Sequence, residues 1–317
     1  MRPELFLGID TSNYTTSAAV LDAEGTVLAN AKRPLAVEAG ARGLRQSEAV
    51  FSHIKNLPSL MQEVSGVLSG GRLAAVGVSE APRRADGSYM PCFLSGVAAA
   101  EAAAAAASVP LYRFSHQCGH LAAAILSSGR HELFGRPFGA FHVSGGTTEV
   151  LHVSSYTERG FSVSLLGGTA DLNAGQLIDR VGVMLGLPFP CGPALEALAE
   201  TNTAPVPRPR ISVRGLTANL SGAENQAAAL FEKTKNAPLV AAYVLDLVAR
   251  TLSALTEALF AECGPLPVLY AGGVMSNRRI RRALAPLGET YFAEPAFSAD
   301  NAAGIALLTK KCHGGRS

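Results

Sequence analysis

His116 and His120 are four residues apart, in a stretch, His116 to Ser127, that reads as a helix. At that spacing two side chains share one helix face. Two imidazoles on one face can bind one transition-metal ion. Two ligands are too few for a tight site. A third has to come from elsewhere in the chain, a carboxylate first of all. A pair of helix-capping or core histidines is the other reading of the same residues. A zinc-peptidase helix would carry Glu directly after its first His as general base. Residue 117 is Gln, so peptide hydrolysis of that kind lacks its base. The histidines at 53, 131, 142, 152 and 313 show no metal spacing and read as structural or surface residues.

Two bends carry a second kind of chemistry. Asp10-Thr11-Ser12-Asn13 and Ser144-Gly145-Gly146-Thr147-Thr148 each follow an apolar strand. Small hydroxyl residues and glycine present backbone N–H groups and hydroxyls with little bulk, which suits a phosphate chain. Ordinary β-turns use the same residues. Gly272-Gly273-Val274-Met275-Ser276-Asn277 also follows a strand and opens a helix, with Asn277 as a good N-cap. A helix start of that kind favours an anion or a polar ligand group. Asp300, in Ala299 to Gly304, is a second N-cap candidate. Arg278, Arg279, Arg281 and Arg282 crowd one short helix, as a solvated face or as an RNA phosphate contact. Arg83-Arg84 and Arg208-Pro209-Arg210 could join such a surface only if folding brings them together.

The elements that must position these residues repeat. Strands at Leu5 to Ile9, Thr16 to Leu21 and Thr26 to Lys32 form a meander. Helix (Ser47 to Leu68), strand (Leu73 to Ser79), an alanine-rich helix (Phe93 to Ala107), strand (Val109 to Arg113) and the histidine helix follow. The pattern restarts with strands at Phe138 to Val143, Glu149 to Ser154 and Phe161 to Leu166. Helices at Ala174 to Leu185 and Ala194 to Glu200 come next, then a Pro-rich loop at Thr203 to Pro209 and a long helix at Val240 to Ala261. Strand (Pro267 to Ala271), helix (Arg278 to Leu284), strand (Glu289 to Phe292) and helix (Asp300 to Lys310) close the chain. Two similar α/β halves with a cleft between them are implied. Facing hairpins from the two halves could clamp one nucleotide.

Composition sets the outer limits. The chain has 317 residues, 48% of them hydrophobic, which is enough for a full core and argues against disorder. Charged residues are only 16%, and the net charge is +2, which neither forces nor excludes nucleic-acid binding. The five cysteines show no metal-knuckle or C-x-x-C spacing and read as free thiols. The N-terminus reaches Asp10 before a signal-peptide core is complete. The most apolar stretch, Gly96 to Leu111, is cut by Glu101 and Pro110 and is too short to span a bilayer. A soluble cytoplasmic protein with no membrane partner is expected.

Taken together these residues resemble the TsaD family of tRNA threonylcarbamoyl-adenosine synthases, long labelled sialoglycoprotein endopeptidases. The resemblance runs from about Gly8 to Leu308. Gly8-Ile9-Asp10-Thr11-Ser12 is similar to the family's opening strand, and Glu48-Ala49 with His53 to its P-E-x-A-x-R-x-H helix. His116-Gln117-Cys118-Gly119-His120-Leu121 matches H-x-x-G-H-L, and Ser144-Gly145-Gly146 matches S-G-G-H-T. Asp179-Arg180 with Leu185 to Pro193 resembles F-D-K…L-G-L-x-Y-P-G-G-P. Gly272 to Asn277 matches G-G-V-x-x-N, and Asp300-Asn301 the C-terminal D-N.

The resemblance implies an actin-like, sugar-kinase and Hsp-seventy ATPase fold, with two ribonuclease-H-like subdomains and an interdomain cleft. One subdomain would take residues 1–132 plus 297–317 and the other 133–296. It supplies Asp300 as third ligand beside His116 and His120, for one iron or zinc ion. It places Ser144, Gly145, Gly146, Thr147, Thr148, Asp179, Gly192 and Asn277 around ATP, ADP or a threonylcarbamoyl-adenylate. It implies tRNA as partner, with a TsaB-like subunit and an ATPase subunit beside it. The implied reaction is metal-dependent transfer of a threonylcarbamoyl, or related carbamoyl, group to the exocyclic amine of adenosine in tRNA.

The sequence departs from the family pattern at several places. Ser12-Asn13-Tyr14-Thr15-Thr16 stands where the family has S-C-D-E-T, and Thr147 where it has His. Ile211 to Thr217 replaces a helical F-S-F-S-G-L-K-T, and Glu80 to Gly87 replaces G-P-G-L. Asp171-Leu172-Asn173-Ala174-Gly175-Gln176 replaces D-D-A-A-G-E. A divergent paralogue that binds nucleotide without transferring, acting as a partner or regulator, is the alternative. A kinase-like ATPase is a third reading, with Asp10 as the one obvious base in the first hairpin.

Overall fold

The first 131 residues alternate strand and helix because apolar runs of strand length are punctuated by turns and by one strong alanine helix. In the computed structural model they form one compact unit, Met1–His131, together with Tyr156–Phe161 and Ala299–Ser317. Glu132–Ser155 with Ser162–Ser298 forms a second. The structure describes residues 2–12, 14–36, 44–85, 87–297 and 302–315.

Unit 1 is built on a five-stranded sheet. β1 (Glu4–Ser12), β2 (Thr15–Asp22) and β3 (Val27–Pro34) form the antiparallel meander. β4 (Arg72–Ala81) runs parallel to β1, and β5 (Leu111–Ser115) parallel to β4. The sheet order is β3-β2-β1-β4-β5. Helices α1 (Gln46–Ser69) and α2 (Phe93–Ala107) cover it with Leu57, Leu60, Val64, Ala100 and Ala104 against Leu5, Leu7, Ile9, Val76 and Val78. The alanine run of α2 therefore buries a stripe on the sheet, as its composition suggests. β5 begins two residues later than expected. Ser108 takes a left-handed cap, with φ 52°, and Pro110 has no N–H to give a strand.

Helix α3 (His116–Ser128) follows β5 directly and packs on the closing helix α9 (Ala303–Gly314). A Cβ on Gly304 would lie 1.9 Å from the Gly119 carbonyl oxygen. Only a residue without a side chain lets the two backbones approach that closely. The crossing seats the histidine-bearing turn of α3. Ala302 is the N-cap of α9, so the helix opens later than the expected Asp300.

Unit 2 repeats the plan. β6 (Phe138–Val143) and β7 (Thr148–Thr157) are antiparallel, and β8 (Gly160–Thr169) is the next neighbour. Helices α4 (Ala174–Met184) and α5 (Gly192–Glu200) follow. A short hairpin, β9 (Ser212–Arg214) and β10 (Thr217–Asn219), sits at the sheet edge, with β10 parallel to β8. Within Ile211 to Thr217, which stands in place of the family's helical segment, the chain pairs as strands. Helix α6 (Ser221–Thr234) has no counterpart in the sequence reading. Then come α7 (Ala237–Cys263), β11 (Val268–Ala271), α8 (Arg278–Leu284) and β12 (Thr290–Phe292). β11 is parallel to β6 and β12 to β11. The order β12-β11-β6-β7-β8 thus mirrors β5-β4-β1-β2-β3 of unit 1.

α7 is the spine of the second core, with Val240, Val244, Val248, Leu252, Leu255 and Leu259 buried. Among the described residues it is the one helix long and apolar enough to cross a membrane, and 78% of its most apolar stretch is buried in the protein. All five cysteines are free thiols.

Candidate functional site

In an open α/β sheet, ligand-binding residues collect beyond the carboxyl ends of the parallel strands. In unit 1 those ends are Asp10 on β1, Ser79 on β4 and Ser115 at the close of β5. Ser115 is the N-cap of α3, its hydroxyl accepting from the Cys118 N–H at 3.3 Å. That fixes His116 in the first turn of α3 and His120 one turn later. Asp10 is buried and links two strands to the helix. Its Oδ1 accepts from Ser79 Oγ at 2.5 Å, and its Oδ2 lies 2.7 Å from His116 Nδ1.

The consequence is a fixed tautomer. A carboxylate accepts, so Nδ1 of His116 carries the hydrogen and Nε2 keeps its lone pair. That Nε2 faces Nε2 of His120 at 2.8 Å, with the ring planes 72° apart. Two imidazole lone pairs cannot face one another at that distance unless a proton or a cation lies between them. A hydrogen on His120 Nε2 makes this an ordinary N–H···N bond; with that hydrogen on Nδ1 instead, the two lone pairs converge and suit a cation. Among the described residues no group of three or more His, Cys, Asp or Glu is placed to hold one. Asp10 supports His116 from the far nitrogen. Asp300, the third ligand implied by the resemblance, lies outside the described residues, as does Asn301.

In unit 2 the equivalent strand ends are Val143 on β6 and Ala271 on β11. Beyond them is a cavity of about 310 Å³. That is the lower end of the size range for small-ligand pockets. Ile178, Pro190, Pro193 and Val274 give it apolar walls. Gly145, Asp179, Gly192, Ser276 and Asn277 are among the rest of its lining. Of the eight expected nucleotide residues, Gly145, Asp179, Gly192 and Asn277 line this one cavity. Ser144, Gly146, Thr147 and Thr148 do not.

Those four hold the loop's shape. Ser144 Oγ meets Thr147 Oγ1 at 2.8 Å and accepts from the N–H groups of Gly146 and Thr147 at 3.2 and 3.1 Å. The Thr148 hydroxyl accepts from Ala174 N–H at 2.9 Å, and the Asn173 side chain donates to the Gly146 carbonyl at 2.9 Å. The loop is thereby tied to the start of α4. Gly175 makes this approach feasible, because a Cβ there would lie 2.6 Å from the Gly145 nitrogen. Asp179 accepts from Cys191 N–H at 2.8 Å, which draws the entry to α5 onto α4. Asn277 is the expected N-cap, accepting from Ile280 N–H at 3.0 Å.

Gly175, Ile178, Pro190, Pro193 and Glu196 were missed from the sequence. Gly175, Pro190 and Pro193 fall within the quoted motif segments and Ile178 next to one, and they could have been found there. Glu196 shows only in three dimensions, its carboxylate accepting from Arg278 N–H at 2.7 Å.

The arginine run on α8 is not a free phosphate-contact face. Arg279 is bidentate on Asp246, at 2.6 and 2.9 Å. Arg278 pairs with Glu200 at 2.9 Å. Arg281 donates to the carbonyls of Met275 and Ala293 and stacks on Phe292. Arg282 is exposed and makes no hydrogen bond or ion pair among the described residues.

The sequence model of a family described as TsaD, tRNA N6-adenosine threonylcarbamoyltransferase, matches residues 27–307. The chain belongs to the TsaD family. Solved structures similar to this TsaD-family chain share its fold. T. kodakarensis HypF matches with a TM-score of 0.62 at 14% identity, over 99% of this chain and 48% of that one. Component A of the Acidaminococcus fermentans (R)-2-hydroxyglutaryl-CoA dehydratase gives 0.53 at 14% identity, over 99% and 100%. A ROK-family glucokinase from Streptomyces griseus, in complex with glucose and AMPPNP, gives 0.51 at 14% identity, over 97% and 98%. The TsaD-family chain thus has the actin-like, sugar-kinase and Hsp-seventy ATPase fold, and its family is one of transferases acting on tRNA adenosine.

Proposed function

We propose that this protein transfers a threonylcarbamoyl group from a threonylcarbamoyl-adenylate to the exocyclic amine of an adenosine in tRNA. The observation that carries the reading, within the family membership, is the pair of Nε2 atoms converging at 2.8 Å with Asp10 fixing one tautomer. His116 and His120, with Asp300, would hold one divalent metal, iron or zinc. Such an ion supplies Lewis-acid stabilisation of negative charge on substrate oxygens.

The chain's own residues do the rest. The apolar walls Ile178, Pro190, Pro193 and Val274 take the adenine-bearing part of the adenylate. Gly145 and Gly192 offer backbone N–H groups without side-chain bulk, as phosphate oxygens require. Asp179 and Asn277 keep α5 and α8 in place around the pocket. In the transfer the adenosine amine forms a bond to the carbamoyl carbon. The bond from that carbon to the phosphate oxygen breaks, AMP leaves with the electron pair, and the amine gives up one proton. A TsaB-like subunit and an ATPase subunit are the expected partners.

A second reading, nucleotide binding without transfer, is favoured by one observation. The Ser144 and Thr147 hydroxyls satisfy each other instead of facing the pocket. Purified protein separates the two readings. Transfer predicts about one divalent ion per chain, lost in His120→Ala, and AMP release from threonylcarbamoyl-adenylate that depends on tRNA. Adenylate binding with no tRNA-dependent AMP release would leave the second.

A further inference from the structure

Folding gathers arginines in unit 1 that lie far apart in the sequence. Arg83 and Arg84 follow β4, Arg113 is on β5, and Arg159 is at the turn between β7 and β8. Together they line a cavity of about 310 Å³, with Glu80, Ala81, Phe114 and Ser115. Arg113 is neutralised: it pairs with Glu80 at 3.4 Å and with Glu101 more closely. Arg84 and Arg159 are different. Arg84 Nη1 donates to the backbone carbonyl of Arg159 at 3.0 Å, which brings the two residues to one place. A carbonyl satisfies a donor but adds no negative charge. Among the described residues neither guanidinium has a carboxylate partner, and both residues are exposed at the cavity. The arginines at 83 and 84 also lie where the family pattern reads G-P-G-L, so the charge belongs to this chain.

We infer that this cavity is a binding site for a phosphate group. Guanidinium forks offer paired N–H donors that match two oxygens of one phosphate. Two uncompensated cations held at one cavity also repel each other, and a dianionic or bridging phosphate relieves that repulsion. The phosphate can come from an RNA backbone or from a free phosphate compound. The site stands on the arginines alone, whether or not the protein catalyses transfer.

The test uses full-length protein and four forms: wild type, R159Q, R84Q/R159Q, and R282Q as a control that removes one positive charge from α8. Among the described residues the Arg159 side chain makes no hydrogen bond or ion pair, so R159Q is expected to fold as wild type. Affinity for unmodified tRNA is measured against salt, and inorganic pyrophosphate is titrated by calorimetry. If RNA supplies the phosphate, R159Q weakens tRNA binding severalfold. R84Q/R159Q weakens it further and lowers the salt slope by about one for each lost phosphate contact. R282Q matches wild type. If a free phosphate compound supplies it, pyrophosphate binds wild type and R282Q, and binding is lost in R84Q/R159Q with tRNA unaffected. Equal binding of both ligands by wild type and R84Q/R159Q overturns the inference, as does wild type binding neither. A loss in R282Q equal to that in R159Q also overturns it, since net charge would then be the cause. AMP release by wild type is scored separately and decides the transfer reading on its own.

Discussion

Asp10 Oδ2 lies 2.7 Å from Nδ1 of His116, across 106 residues of sequence. That contact decides which imidazole nitrogen is left to bind. It also makes a pair of histidines at helical spacing into a directed pair. Asp10→Asn keeps the shape but offers a neutral amide where the carboxylate stood, so the Nδ1 hydrogen loses its charged acceptor. Loss of such a partner lowers metal affinity roughly tenfold to a hundredfold. Competition with a chromogenic chelator should show that drop while the far-ultraviolet circular dichroism is unchanged. Equal affinity in D10N and wild type would remove Asp10 from the site.

Gly175 tests the proposed nucleotide pocket without touching a polar ligand group. A methyl at this position would lie 2.6 Å from the Gly145 nitrogen and 2.7 Å from the Ser144 carbonyl carbon. Gly175→Ala should push the Ser144 to Thr148 loop away from α4 and stretch the 3.1 Å bond from Gly175 N–H to the Ser144 carbonyl. Backbone crowding of this kind costs about 1–3 kcal/mol. Calorimetry should find ATP or ADP binding at least tenfold weaker, with Tm lowered by several degrees. Unchanged nucleotide affinity would mean that this loop does not shape the binding site.

Much of this was legible in the sequence, and the reasons differ by element. The β1–β2–β3 meander and its repeat at β6–β7–β8 show as apolar runs cut by turns. His116 and His120 show because helical spacing is a local signal. Helix α6 is hidden: of its fourteen residues only Ala223 and Ala227 are buried, so its apolar stripe is faint. Residues 212–219 pair as strands because β8 offers an edge, which no local pattern reveals. The arginines of α8 looked like one surface. Arg278 and Arg279 are committed to the distant Glu200 and Asp246, and Arg281 to the carbonyls of Met275 and Ala293. The Arg84–Arg159 contact and the Asp10–His116 contact likewise exist only after folding.

Asp171 should set part of the protein's acid stability. Burial pushes its carboxyl up. The Ser221 hydroxyl and the N–H groups of Leu220, Ser221 and Leu172 outweigh that and bring it to about 2. The unfolded chain therefore takes up the proton first as pH falls from about 4. The stabilisation is full above that value and is lost as pH falls through about 2. Asp171→Asn should be less stable than wild type at pH 6, and the gap in urea midpoints should close between about pH 4 and 2. A gap that stays constant with pH would contradict the assignment.

His53 acts near neutrality with the same sign. It is fully buried on α1, with Nδ1 2.8 Å from Thr16 Oγ1 on β2. Burial lowers its pKa, against the Ser12 backbone and Asp10, so the folded protein keeps it neutral. The unfolded chain gains a proton below about pH 6.5. Stability from this residue is present above that pH and declines as pH falls toward the lowered folded value. The stability difference between wild type and His53→Gln should therefore shrink from pH 7.5 to pH 5.5 in urea titrations. A difference that grows over that range would contradict a neutral buried imidazole.

The transfer reaction is tested most directly in tRNA itself. A strain lacking its own threonylcarbamoyl-transferring enzyme is supplied with wild type or with His120→Ala, and its tRNA is digested to nucleosides for mass spectrometry. Threonylcarbamoyl-adenosine should return with wild type and stay absent with His120→Ala at equal protein level. Wild-type protein that accumulates and binds nucleotide, in cells whose tRNA still lacks the modified adenosine, would contradict the transferase account. It would establish the non-transferring nucleotide binder in its place.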